Sequence, residues 1–199
     1  MQKEWTDNPS NLVDLFENTI VKHPNRNFLG IKNTEGIYEW ITYEEAGKRV
    51  DNLRGGLAKT GIKKNDVVGV IVNNSVEWVI IAFATYGLNA RFIPMYEKEL
   101  EKVWKYIIKD SGIKILFVAD EEIYEKVKSY LSKINTLKKI YIIRSEGENC
   151  MKSLEEIGNE YPIASVKPHF QDIAVLIYTS GTTGEPKGVL LSHENFISN

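Results

Sequence analysis

From Val67 onward, short apolar runs alternate with stretches whose apolar residues return every three or four positions. Val67–Val72, Arg91–Pro94, Ile113–Ala119, Lys139–Ile143 and Ile173–Ile177 read as strands. Between them, Trp78, Val79, Ala82, Phe83 and Tyr86 share one helical face, as do Leu100, Val103, Trp104, Ile107 and Ile108. Ile123, Val127, Tyr130, Leu131 and Ile134 mark a further helix. Strand and helix in strict alternation predict an α/β fold, a doubly wound, largely parallel sheet with helices on both faces.

The residues before Val67 carry local signals. Asn11 caps a helix whose apolar side holds Leu12, Leu15, Phe16 and Ile20, with Pro24 beyond its end. Phe28–Lys32 and Tyr38–Ile41 form a hairpin through Asn33-Thr34-Glu35-Gly36. Thr42 and Glu45 make a capping box for a helix carrying Tyr43, Ala46, Val50, Leu53 and Leu57, closed near Gly61. Trp40, Trp78 and Trp104 fall at core spacings. Between Arg144 and Val166 periodicity fades, leaving a short helix around Leu154–Ile157; an internal seam near 144–168 is expected there, without a true linker.

Glycines, hydroxyls and a lysine follow the last strand: Tyr178-Thr179-Ser180-Gly181-Thr182-Thr183-Gly184-Glu185-Pro186-Lys187-Gly188-Val189. Gly181 and Gly184 let backbone N–H groups approach an anion. Thr179, Ser180, Thr182 and Thr183 add hydroxyl donors, and Lys187 brings a full positive charge. This is a phosphate cradle at the carboxyl end of a strand, where open α/β sheets place their ligand loops. A Walker loop is excluded by the spacing, because Gly188 and no hydroxyl residue follows Lys187. Loops that close on phosphate are commonly mobile when empty, so poor order is expected here without nucleotide.

The string YTSGTTGEPKGV resembles the phosphate-binding signature of the adenylate-forming superfamily, which includes acyl-CoA synthetases, luciferases and peptide-synthetase adenylation domains. The flanking Ser192-His193-Glu194-Asn195 is similar to the segment that enters a helix in that family. Ile93-Pro94-Met95-Tyr96-Glu97 resembles the corresponding stretch of long- and medium-chain fatty acyl-CoA synthetases, and Asn73–Trp78 a strand-to-helix turn that is structural there. The resemblance covers the amino-terminal part of such an enzyme's AMP-binding domain, over residues 1–199. It implies ATP binding through Thr179, Ser180, Gly181, Thr182, Thr183 and Gly184, with Lys187 near the β- and γ-phosphates. It also implies Mg²⁺, a carboxylic acid substrate such as a fatty acid, and CoA as acyl acceptor.

Later family segments (a Tyr-Gly-x-Thr-Glu stretch, a ribose-binding Asp, the catalytic lysine of a carboxy-terminal domain) find no match before Asn199. The chain therefore reads as a piece of a longer ligase that does not turn over alone, with no catalytic residue of its own. Two other readings stand beside the fatty acyl-CoA synthetase. One is another adenylate-former, an aryl-CoA ligase or peptide-synthetase adenylation domain; the other is a non-catalytic nucleotide-binding module.

Charge and cysteine usage narrow the setting. Lysines and glutamates intersperse, and a net charge of −2 gives no reason to expect a nucleic acid partner. Cys150 is the one cysteine, so no intrachain disulfide forms, and it reads as a bystander loop thiol in a reducing, cytoplasmic setting. The polar start Met1–Asp7 lacks a signal peptide's apolar core, and no stretch approaches a membrane span; peripheral membrane association stays open. His193 reads as a capping or packing residue, although the resemblance suggests a place near the nucleotide or acyl pocket. His23 and His169 read as surface or turn residues.

Overall fold

A computed structural model of the chain describes residues 8–179 and 185–198. Two layers of helix enclose a six-stranded sheet. Its strands are β3 (Val67–Ile71), β4 (Arg91–Met95), β5 (Ile115–Val118), β6 (Lys139–Ile142), β7 (Ile173–Thr179) and β8 (Lys187–Ser192), in spatial order β6-β5-β3-β4-β7-β8. All neighbours are parallel except β7 and β8. The expected doubly wound architecture is present, and β8 adds an antiparallel edge that the sequence reading placed in the loop and helix entry.

Helices α3 (Val76–Tyr86), α4 (Glu101–Ser111), α5 (Glu121–Val127) and α6 (Met151–Glu160) connect the strands. Right-handed crossovers put α3 and α6 over one face, since β3→β4 and β6→β7 step one way along the sheet. The return steps β4→β5 and β5→β6 carry α4 and α5 over the other. Helix α2 (Tyr43–Lys59) packs against both α3 and α6, and α4 packs against α5, in agreement with that arrangement. A 3₁₀ turn, Lys128–Ser132, finishes the α5 segment, so the expected single helix divides in two.

Every residue of β3 is buried, as a central parallel strand requires. Leu53, Leu57, Ile71, Ile80, Ile81 and Ile108 are fully enclosed, and truncating one such side chain to alanine costs about 2–5 kcal/mol. The local caps form as expected. Asn11 accepts from the Asp14 N–H at 2.9 Å at the head of α1 (Leu12–Lys22). Thr42 and Glu45 close a reciprocal capping box on α2.

Residues 144–168 hold more structure than their fading periodicity suggests. Helix α6 crosses α2 at glycine on both sides: a Cβ on Gly158 would overlap the Asn52 carbonyl oxygen, and one on Gly56 the Leu154 carbonyl. Arg49 of α2 reaches Glu77 of α3 at 3.3 Å and Glu155 of α6 at 3.0 Å. The Arg54 guanidinium donates twice to the Ile163 carbonyl, at 3.0 and 2.8 Å. Cys150 is no loose loop thiol; it is buried and caps α6, its sulfur accepting from the Ser153 N–H at 3.3 Å.

The tryptophans divide. Trp104 is buried and donates to the Tyr96 carbonyl, and Trp78 packs edge-on against Phe92. Trp40 is half exposed, contrary to its core spacing. It lies on the outer side of the separate ribbon of β1 (Asn27–Lys32) and β2 (Tyr38–Thr42), stacked beside Tyr38 and over Gly30. A two-stranded ribbon has one face left over, and Trp40 occupies it.

Candidate functional site

The segment read as a phosphate cradle joins the two strands of a hairpin. In the β7–β8 ladder, Thr179 pairs with Lys187 and Tyr178 with Gly188, so the ladder ends where the glycine- and hydroxyl-rich segment begins. Directly opposed residues of an antiparallel pair project to the same face. Thr179 and Lys187 therefore share one face and Tyr178 and Gly188 the other. Both Thr179 and Lys187 are exposed. Ser180, Gly181, Thr182, Thr183 and Gly184 lie outside the described residues, as does the expected mobility of that segment. Because β7 runs parallel to β4, the hairpin mouth opens at the carboxyl edge of the sheet.

Tyr178 secures the hairpin to the helix layer beneath it. Its hydroxyl donates to Asp110 Oδ2 of α4 at 2.6 Å, and its ring meets Tyr106 edge to face at 6.4 Å. Burial and the neighbouring Asp110 carboxylate push the Tyr178 hydroxyl well above the usual phenol range. Gly188 explains part of the signature by packing: a Cβ there would come within 3.0 Å of Leu176 Cδ1 and 3.3 Å of the Tyr178 ring. Here glycine clears a path for a neighbour's ring.

The same edge gathers the two other segments singled out in the sequence. Asn73, after β3, donates to Glu97, after β4, through its backbone N–H at 2.9 Å and its side-chain amide at 2.7 Å. Arg144 approaches the same carboxylate at 3.5 Å. Alongside lies an open cleft of about 580 Å³ lined by Val72, Asn73, Asn74, Trp78, Pro94, Met95 and Tyr96. The pairing of Asn73 with Glu97 spans 24 positions, and only the resemblance of each segment hinted at it.

His193 sits elsewhere. It opens the short helix α7 (His193–Ile197) after β8, six positions beyond Lys187, or about 20 Å of extended chain toward the amino edge. It is fully buried; its Nδ1 accepts the Leu12 N–H at 3.3 Å, and its ring meets Tyr86 edge-on. Burial pushes its pKa down to about 4, against the opposing pull of Asp172 and Asp14. The packing role holds, and this seat lies toward the amino edge, away from the hairpin mouth at Thr179 and Lys187. Nearby, Asp172 fixes the entry to β7 by accepting from Asn89 at 2.7 Å, from Lys64 at 3.1 Å and from the His169 N–H at 3.0 Å. The Asn89 hydrogen bond leads the causes holding its carboxyl below the usual range. His23 and His169 lie at a helix end and in an exposed turn, as read.

Comparison with known proteins agrees with this geometry. Human long-chain-fatty-acid–CoA ligase 6 is 26% identical over 211 residues, covering 98% of this chain and 30% of the relative. Fatty acyl-CoA synthetase A of Dictyostelium discoideum is 29% identical, covering 94% of this chain and 30% of the relative. The chain thus spans about 30% of the length of these curated relatives. Among solved structures, a long-chain-fatty-acid–CoA ligase from Archaeoglobus fulgidus superposes with a TM-score of 0.84 at 25% identity, over 100% of this chain and 40% of that one. An anthranilate–CoA ligase in complex with anthranoyl-AMP shares the fold, with a TM-score of 0.80 at 24% identity over 92% of this chain and 35% of that one. The family model described as AMP-binding enzyme matches residues 16–199, and the chain belongs to that family.

Proposed function

We propose that this chain is the amino-terminal part of the AMP-binding domain of an ATP-dependent acyl-CoA synthetase that activates a fatty acid. The observation that carries the reading is the hairpin in which Thr179 and Lys187 face each other across the mouth of the cradle, at the carboxyl edge of the sheet. Attack of a carboxylate on the α-phosphorus of ATP builds negative charge on the reacting centre and on the departing pyrophosphate. Fixed donors and a cation aimed at those oxygens stabilise it. Lys187 supplies the cation, and Thr179, Ser180, Thr182 and Thr183 the hydroxyls. Gly181 and Gly184 let the backbone approach. The acyl-adenylate would then pass its acyl group to the CoA thiol, releasing AMP, with groups outside these 199 residues.

Magnesium is implied by the family. Among the described residues no three or more His, Cys, Asp or Glu side chains gather to hold a metal ion. Among the described residues no helix is long and apolar enough to cross a membrane. A cytoplasmic setting is part of the proposal and rests on the single cysteine.

ATP–pyrophosphate exchange by the full-length protein, with long-chain fatty acids, aryl acids and amino acids as the panel, tests the reading. Exchange stimulated by fatty acids is expected, and none from residues 1–199 alone. Exchange driven only by aryl or amino acids would reassign the substrate, and no exchange with any acid would overturn adenylate formation.

A further inference from the structure

Tyr178 is the last residue of β7 before Thr179, and it is held from below. Its hydroxyl donates to Asp110 Oδ2 at 2.6 Å across 68 positions of sequence, from a hairpin to a helix on the adjoining layer. Its ring is confined by the Tyr106 ring on one side and by the missing side chain of Gly188 on the other. The pair Tyr178–Gly188 is immediately adjacent in the ladder to the pair Thr179–Lys187. A strand end free of such an anchor frays, because its last ladder bonds compete with water. The phenol–carboxylate contact has the short geometry of a charge-assisted hydrogen bond, stronger than a neutral one.

We infer that Asp110 is a positioning residue for nucleotide binding: by accepting the Tyr178 hydroxyl it fixes the mouth of the β7–β8 hairpin, so that Thr179 and Lys187 are held on one face for the phosphates. This rests on the proposed phosphate-binding role of that hairpin. Asp110 touches no nucleotide itself and acts through Tyr178.

Charge alone predicts the opposite sign, which makes the inference separable. Asp110 is an anion near a site meant for a polyanion, so its removal would tighten ATP binding if only its field mattered. A positioning role predicts loosening whenever the hydrogen bond is lost.

The experiment compares Tyr178→Phe, Asp110→Ala, Asp110→Asn and the double variant Tyr178→Phe/Asp110→Ala in ATP–pyrophosphate exchange by the full-length protein, with melting temperature alongside. Tyr178→Phe and Asp110→Ala should each raise the KM for ATP roughly threefold to tenfold, the range of one hydrogen bond, leaving the KM for the acid unchanged. The double variant should be no worse than either single one. Asp110→Asn, which keeps an acceptor, should bind ATP nearly as the parent does. A lowered melting temperature and kcat with an unchanged KM for ATP would show a merely structural contact and overturn the inference, as would tighter ATP binding by Asp110→Ala. If the parent protein shows no exchange, the phosphate-binding reading falls and the inference with it. If the parent exchanges and both single variants match it, the inference alone falls.

Discussion

Thr179 and Lys187 stand directly opposite one another in the β7–β8 ladder, with the glycine- and hydroxyl-rich segment strung between them. A short side-chain donor and a cation on one face of a hairpin end suit an anion that must be met from two sides. Lys187→Ala should therefore raise the KM for ATP and slow pyrophosphate exchange by roughly ten- to a hundredfold, the worth of one hydrogen bond to a charged group. Because Lys187 is exposed, its melting temperature should stay near that of the parent. Lys187→Arg should fall between the two. Parent-like exchange by Lys187→Ala would remove the lysine from the phosphate site.

The α2–α6 crossing makes a separate claim about stability. Gly158 meets the Asn52 carbonyl so closely that a methyl group cannot fit without parting the helices. The obstacle is backbone, which cannot swing aside as a flexible side chain would. Gly158→Ala gains a little helix propensity, worth about 1 kcal/mol. Overpacking of about 1–3 kcal/mol or more outweighs it. Thermal unfolding should show a lower midpoint for Gly158→Ala. The same substitution at Gly36, where nothing lies near but φ is +80°, should also lower it, there through backbone strain. An unchanged midpoint for Gly158→Ala would mean the helices slide apart at no cost.

What the sequence disclosed follows the range of each interaction. Asn11, the Thr42–Glu45 box and the hairpin at Asn33–Gly36 were readable because each closes within a few residues. The sheet was readable because buried parallel strands write themselves as unbroken apolar runs such as Val67–Ile71. Strand β8 escaped: its apolar run, Val189-Leu190-Leu191, is only three residues long and slightly buried, and the strand is defined by pairing with β7. Trp40 misled because spacing reports a face without saying whether anything covers it. The Asp110–Tyr178 contact, like the seat of His193 between Leu12 and Tyr86, joins positions too far apart for any local pattern to announce.

Asn11 offers a sharper test than an ordinary helix cap. Its Oδ1 accepts from the Asp14 N–H, while its Nδ2 donates to the Pro168 carbonyl at 3.1 Å, in a buried contact spanning 157 positions. Aspartate caps helices as well as asparagine does, so Asn11→Asp is normally near neutral. Here the exchange replaces a donor with an acceptor facing a carbonyl, and places a second carboxylate beside Asp14. Asn11→Asp should cost about 1–3 kcal/mol, as much as or more than Asn11→Ala, by urea unfolding at neutral pH. Equal stability of Asn11→Asp and the parent would show that the Pro168 contact contributes nothing.

His193 gives the fold a pH dependence whose sign can be worked out. Its pKa is depressed from 6.5 to about 4 because burial disfavours the cation more than Asp172 and Asp14 favour it. Between those values the unfolded chain binds more protons than the folded one, so stability rises with pH across that window. The contribution is whole above pH 6.5 and is lost progressively as pH falls toward 4, amounting to about 3 kcal/mol at most. Asp172 acts lower down: its depressed pKa supports the fold above its ordinary value of 3.8 and is lost beneath it, so the two windows barely meet. Urea unfolding of the parent should therefore weaken steadily from pH 6.5 to 4.5. His193→Asn can still accept the Leu12 N–H but cannot titrate in this range. It should be less stable than the parent at pH 7 through lost packing, yet change less over the same interval. An equal slope for the variant and the parent would assign the acid sensitivity to groups other than His193.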